Sequence, residues 1–401
     1  MATVSVALVG IGGYGGTYLK ELLDHAGGRD IRFVGAIDPN PRGCTRLSDL
    51  DALGVPRFAS LQDFYAQGAR ADVVAIAAGI HLHVPLSKLA LEHGSHVLVE
   101  KPLCAAVQDG FELIAARDQA GMLVGVGFLW SYREANHNLK RDMGGGRFGA
   151  PKRFKALALW PRGHDYYARN TWAGAQKSPD GAWVLDSPAN NANAHQVHNL
   201  FFCLGSRADS SAYPVSAEAE LYRANAITNF DTCAARWKTE AGVEVLFYAS
   251  HAVREQLGPI FEYEFEDGTV TYGYDGAGLR ASFADGSAHD YGQPDGGSGR
   301  KLWHTVELAR GGPPALCPPE AALAQTLAID GMQESAREIA AFPAEAVKLE
   351  ESKGKLTWAA GVAEAWTEAY RQGRLPGELG VPWARPGRRV DLSNYRRFPA
   401  H

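Results

Sequence analysis

Five glycines fall within seven positions, Gly10 to Gly16, in the stretch VALVGIGGYGGTYLKEL. Gly10, Gly12 and Gly15 fit the spacing G-x-G-x-x-G, with Gly13 and Tyr14 inside it. Between a strand and a helix, the first glycine permits a tight turn and the second lets backbone approach a pyrophosphate. The third lets the helix pack closely on the strand. The helix N-terminus then offers N–H groups and its positive dipole end to the phosphates. A glycine-rich turn without a ligand would use the same residues; the strand before and the helix after select the dinucleotide. Asp38 closes the apolar run IRFVGAI, 23 residues beyond Gly15. A carboxylate there accepts hydrogen bonds from an adenosine ribose diol and repels a 2′-phosphate. NAD is therefore expected in preference to NADP, although Arg42 lies near enough in sequence to reach a phosphate.

Lys101 follows the apolar run of HVLVEKPL, at the carboxyl end of an expected parallel strand, where such sheets bind ligands. A partly desolvated ammonium has a lowered pKa and can exchange protons with a substrate hydroxyl. The alternative is a solvated loop lysine. In WPRGHDYYARNTW, residues 160–172, Trp160, Arg162, His164 and Arg169 crowd into an expected loop. Rings and hydrogen-bonding cations suit a polyhydroxylated or acidic ligand, and equally a packed loop or subunit contact. Tyr132 and Arg133 follow the next apolar run and are candidates to border the nicotinamide.

These residues need elements to hold them. Over residues 1–130, short apolar runs (VSVALVG, IRFVGAI, ADVVAIAA, HVLVE, MLVGVGF) alternate with helical patterns. That predicts an α/β, doubly wound parallel sheet with helices on both faces. From about 150, runs such as FKALALW, VSAEAELYRA, TCAARWK, VEVLFYAS and FEYEFEDGTVTYGY alternate with period 2 and carry turn glycines. They predict a large, mostly antiparallel sheet in an α+β domain, with one face solvated or covered by a partner. Helices are expected over 318–341 and about 355–372. The division is 1–130 for the NAD(P)-binding domain, 131–374 for a substrate and oligomerisation domain, and 375–401 for a tail that wraps the surface. An exposed sheet face makes a homodimer or homotetramer the expected assembly.

The order GIGGYG, AIDPNP, AAGIHLHVPLSKLALEHGSHVLVEKPL, VGVGFLWSYR resembles the Gfo/Idh/MocA oxidoreductases through the whole N-terminal domain. His83 matches the histidine of that family's T-P-x-x-x-H segment, with Ala78-Gly79 where Thr-Pro is usual. The resemblance implies a Rossmann domain followed by an open-faced α/β domain. It implies NAD(P)-dependent oxidation of a sugar, cyclitol or related polyol, with Lys101 at the active site. It also implies cofactor contacts from Ala77, Ala78, Gly79, His83, Glu100 and Lys101 beside the glycines. The family's second signature, D-x-x-x-H-x-x-D, aligns on His195, with Leu204 and Gly205 in their usual places. Here Asn191 replaces the first aspartate and His198 the second. His195 can polarise a substrate oxygen or take its proton. Asn191 can orient a hydroxyl but cannot act as a base. Asp186, the nearest carboxylate, has the wrong spacing for the family role. Whether Lys101 or His195 is the base stays open.

The chain has 401 residues, 46% hydrophobic and 21% charged, enough for two domains of an ordinary globular protein. A net charge of −5 without a Lys/Arg cluster argues against a nucleic-acid partner. No apolar run is long enough to span a membrane. A strand is expected almost at the N-terminus, which predicts that no signal peptide is present. Cys44, Cys104, Cys203, Cys233 and Cys317 are dispersed, which predicts reduced cytoplasmic thiols and no metal site. The reading is an NAD-dependent dehydrogenase acting on a small carbohydrate-like substrate. Two rivals keep the cofactor: a glycosidase working by transient oxidation and elimination, and a non-catalytic dinucleotide-binding protein, favoured by the missing motif aspartate.

Overall fold

The chain was analysed as a computed structural model, which describes residues 2–294, 296–297, 299–336, 338–351 and 354–399. The first apolar run forms strand β1 (Val4–Val9), buried at every position. Burial on both faces is what makes it read as a continuous apolar run. Strands β2 (Ile31–Ile37), β3 (Arg57–Phe58), β4 (Val73–Ile76), β5 (His96–Val99) and β6 (Val124–Val126) complete a parallel sheet. Its order is β3-β2-β1-β4-β5-β6, the Rossmann order, which reverses direction between β1 and β4. The helix Gly15–His25 packs Tyr18, Leu19 and Leu22 into the same core as Val6 and Leu8. Leu302 and Val306, from the helix Arg300–Ala309, join that core.

Two compact units result, and they interleave in sequence. The first comprises residues 1–104, 108–132 and 295–322; the second comprises 105–107, 133–294 and 323–401. Where the sequence suggested boundaries after 130 and 374, residues 295–322 belong to the first unit.

In the second unit a 10-stranded sheet holds β7 (Pro151–Leu159), β8 (Pro214–Arg223), β9 (Thr232–Thr239), β10 (Glu244–Ser250) and β11 (Leu257–Phe265). Beyond β11 lie β12 (Gly268–Tyr272), β13 (Leu279–Phe283) and β14 (Ala288–Gly292). At the other edge, β15 (Ala340–Ala341) pairs with β8, as does the strand Val390–Asp391 from the tail. The pairs β7/β10 and β8/β15 are parallel; the remaining ladders are antiparallel, as expected.

The two faces of this sheet are covered differently. On one, Trp237 donates its indole N–H to the Ala328 carbonyl of the helix Pro319–Ser335 and meets Phe201 edge-on. On the other, Leu157, Leu159, Tyr222, Leu246 and Tyr248 pack under Trp366 and Tyr370 of the helix Val362–Gln372. The face expected to await a partner is thus covered in part by the chain's own C-terminal segment. The remainder carries an ion-pair lattice: Arg153 and Arg236 on Glu244, and Lys155 on Glu262 and Glu264.

Two helical expectations are revised. The first helix ends at Ser335, short of 341. The segment 355–372 splits into a strand, Leu356–Ala359, and the helix Val362–Gln372. Gly361 between them sits at φ +84°, a left-handed conformation that glycine adopts without strain and that no helix can run through. All five cysteines are buried, and none of them forms a disulfide. Among the described residues no helix is long and apolar enough to cross a membrane.

Candidate active site

The glycine turn is built as a close approach on one side and an open cradle on the other. Gly10 sits at φ +82°, and a Cβ there would lie 2.5 Å from the Ala77 carbonyl oxygen. A Cβ on Gly15 would lie 1.9 Å from the Gly10 oxygen. Around Gly13, by contrast, nothing lies within 4 Å of an added Cβ. Among the described residues no hydrogen bond engages the backbone N–H groups of Gly12, Gly13 and Tyr14. Asp38 ties the end of β2 to this turn. Its Oδ2 accepts from the Ile11 N–H at 3.0 Å and its Oδ1 from the Asn40 N–H at 2.8 Å. A carboxylate has lone pairs beyond these two, so Asp38 keeps acceptor capacity for a ribose diol. Open N–H groups, missing side chains and a carboxylate one strand away fit a dinucleotide.

At the end of β5 the chain has a buried charged hub. Glu100 accepts from the Tyr18 hydroxyl and from the Lys301 ammonium, both on Oε1. Its Oε2 accepts from the Lys101 backbone N–H at 3.2 Å. Lys301 is fully buried, donates also to the Gly127 carbonyl at 3.1 Å, and lies 4.6 Å from the Tyr14 ring centre. Burial, with Glu100 adding to it, holds the Tyr18 hydroxyl well above its ordinary pKa. Glu100 therefore serves the chain itself: its carboxylate fixes the backbone that carries Lys101, which is half-buried. His83 acts similarly. It is buried, with Nδ1 2.7 Å from the Pro102 carbonyl and Nε2 3.1 Å from that of Ala78. Burial pushes its pKa down, against the pull of the two carbonyls. The imidazole clamps the Ala78-Gly79 turn to the segment after Lys101.

Lys301 was not singled out from sequence. The available signal was its place on a helical stripe with Thr305 and Leu308, all buried. A lysine on such a stripe must find a buried anion.

Two other candidates, Tyr132 and His198, belong to cores. Tyr132 is fully buried and its hydroxyl donates to the Val126 carbonyl at 3.0 Å. It therefore packs the first unit instead of bordering a ligand. His198 is fully buried against Phe202, and burial beside Lys140 pushes its pKa down to about 3. It is a neutral packing residue, not a substrate contact. His164 is exposed, with Nε2 2.8 Å from the Thr357 hydroxyl. Arg133 stands at the N-cap position of the helix Glu134–Gly144.

The second unit assembles the rest. His195 is half-buried in the first turn of the helix Ala194–Cys203. Asn191 sits in the π-helical turn Pro188–Ala192 before it. The Asn191 amide donates to Asp186 Oδ1 at 2.7 Å. Asp186, buried, also accepts from the Gly174 N–H at 2.6 Å and from Arg169 at 3.3 Å. Burial raises its pKa, and Arg169 opposes that most strongly. Leu185 before it is held at φ +48°, a left-handed conformation that strains a branched residue. Asp186 thus brings a carboxylate to Asn191 despite its spacing in sequence.

Residues 160–172, expected as a loop, include the short helix His164–Ala168 and form a ladder of alternating rings and guanidinium groups. Arg162 lies 5.6 Å from the Trp160 ring centre and 5.1 Å from that of Tyr166. Arg169 lies 3.7 Å from Tyr166 and 5.6 Å from Trp172. His251, at the end of β10, accepts the Arg162 N–H on its backbone carbonyl at 3.2 Å.

Fold and site define the first unit as a dinucleotide-binding Rossmann domain. Residues 4–128 match the model of the GFO_IDH_MocA family, described as an oxidoreductase family with an NAD-binding Rossmann fold. The matched segment contains the glycine turn, Asp38, His83 and Lys101 that the sequence singled out. Similar proteins include inositol 2-dehydrogenase 1 of Saccharopolyspora erythraea, 28% identical over 49% of this chain and 59% of that protein. 1,5-Anhydro-D-fructose reductase of Ensifer adhaerens is 27% identical over 30% of this chain and 36% of that one. The matches thus span between about a third and three-fifths of those relatives. The WlbA dehydrogenase of Bordetella pertussis, solved with NADH and UDP-GlcNAcA, aligns over 84% of this chain and 97% of its own. Its TM-score is 0.68 at 22% identity, a likeness of fold.

Proposed function

We propose that this protein is an NAD-dependent dehydrogenase that oxidises a CH–OH group of a sugar, cyclitol or related polyol. The observation that carries the reading is the carboxyl edge of one parallel sheet: the open glycine cradle follows β1, and Lys101, held by Glu100, follows β5. Ligands of doubly wound sheets bind along that edge.

NAD, when bound, accepts the hydride. The chain's residues do the rest. Gly12, Gly13 and Tyr14 offer N–H groups to the pyrophosphate, and Asp38 takes the ribose hydroxyls. Lys101 and His195 share proton transfer from the substrate hydroxyl. Asn191, its amide held by Asp186, orients a hydroxyl. Inositol 2-dehydrogenases and an anhydrofructose reductase among the relatives support a polyol-like substrate.

Cofactor choice tests the cradle. Asp38→Ser is expected to weaken NAD and relax discrimination against NADP, measured by fluorescence titration of both reduced cofactors. A wild-type protein that binds NADPH more tightly than NADH would contradict the role given to Asp38.

A further inference from the structure

Arg162 is a cation without a counter-charge. Among the described residues no carboxylate lies within ion-pair distance of it, whereas Arg169 beside it is met by Asp186. Its Nε is buried and has no hydrogen-bond partner among the described residues; an Nη meets the Pro161 carbonyl at a long 3.5 Å, and the Tyr166 hydroxyl bonds the guanidinium. Trp160 and Tyr166 flank the guanidinium and hold it in place. His251 adds a second open position: it is buried, and its Nε2 has no partner among the described residues. Burial, with Arg162 and Arg169 adding to it, holds the His251 pKa well below its ordinary value, so this ring is neutral. A buried donor left unmade is costly unless something arrives to fill it.

We propose that Arg162, flanked by Trp160 and Tyr166 and backed by His251, receives a carboxylate on the substrate. This inference rests on the dehydrogenase reading and narrows its substrate to a sugar acid. One uncompensated guanidinium beside a neutral imidazole matches a single negative charge. The planar fork of arginine also matches a carboxylate in two parallel hydrogen bonds.

The test is calorimetric titration of the full chain, saturated with NAD, with matched ligands: D-glucuronate and D-galacturonate, D-glucose and D-galactose, and glucose 6-phosphate. The hexuronates are expected to bind at least roughly tenfold more tightly than the hexoses, the scale of a charge-assisted pair. Arg162→Met is expected to erase that preference. Arg162→Lys, which keeps the charge and loses the fork, is expected to keep part of it. Unchanged NAD affinity in both variants shows that they fold. Equal binding of acids and hexoses, no hexuronate binding, stronger binding of the sugar phosphate, or a preference that survives Arg162→Met would each overturn the proposal. NADH production from a neutral polyol in that case would leave the dehydrogenase reading standing, whereas failure to bind NAD would remove that reading.

Discussion

Asn191 donates to Asp186, and that bond orients its amide. Nδ2 faces the carboxylate, so Oδ1 forms the acceptor end of the group. The substitution Asn191→Asp would set two carboxylates within hydrogen-bonding distance. Such a pair keeps one proton to higher pH than either group does in the unfolded chain. The native state then binds more protons than the unfolded state, so stability falls as pH rises, from about pH 4 through the raised native value. Relative to wild type, the melting temperature of Asn191→Asp is expected to drop further at about pH 8 than at about pH 5. A difference independent of pH would separate Asp186 from Asn191. The Glu100–Lys301 pair makes a second residue-scale case. Lys301→Met strands a buried carboxylate, which costs about 3–5 kcal/mol. Adding Glu100→Gln is expected to return part of that loss in urea unfolding, because the two residues share one interaction. Strictly additive losses would show that the ammonium and the carboxylate do not meet.

At the scale of elements, the helix Val362–Gln372 earns its place through Trp366. That side chain is fully buried, donates to the Cys233 carbonyl at 2.7 Å and stacks on Trp383. Trp366→Ala is expected to cost about 3–5 kcal/mol, read by urea denaturation; a loss under about 1 kcal/mol would show that this face is not sealed by the helix. The strands were legible because burial on both faces, or on one, writes continuous or alternating apolar patterns. What covers a sheet face is not written locally. The pattern of β7 to β11 looks the same whether a second chain or residues 362–372 lie on it. The break at Gly361 was lost for a related reason: the apolar pattern on either side runs on, and one residue's backbone conformation decides.

At the scale of the whole molecule, the order of motifs gave the Rossmann domain, and the interleaving of the units stayed hidden. The helix Arg300–Ala309 joins a sheet whose last strand ends at Val126, and no local pattern says which core a distant helix fills. Lys301 was missed with it, since a lysine away from its partner reads as solvated. Asp186 was seen but set aside on spacing, because a π-helical turn, which sequence does not announce, carries Asn191 back to it. Gly10, Gly15 and Asp38 were readable because a turn fixes their spacing. The central claim, oxidation of a sugar-like alcohol by NAD with Lys101 moving the proton, is tested most directly by absorbance at 340 nm. The full chain is incubated with NAD and a panel of sugars, cyclitols and sugar acids, beside Lys101→Ala. The account predicts NADH from at least one substrate, with turnover about 10²–10⁴ lower in the variant. Turnover equal to wild type in Lys101→Ala, or no NADH from any member of the panel, would contradict it.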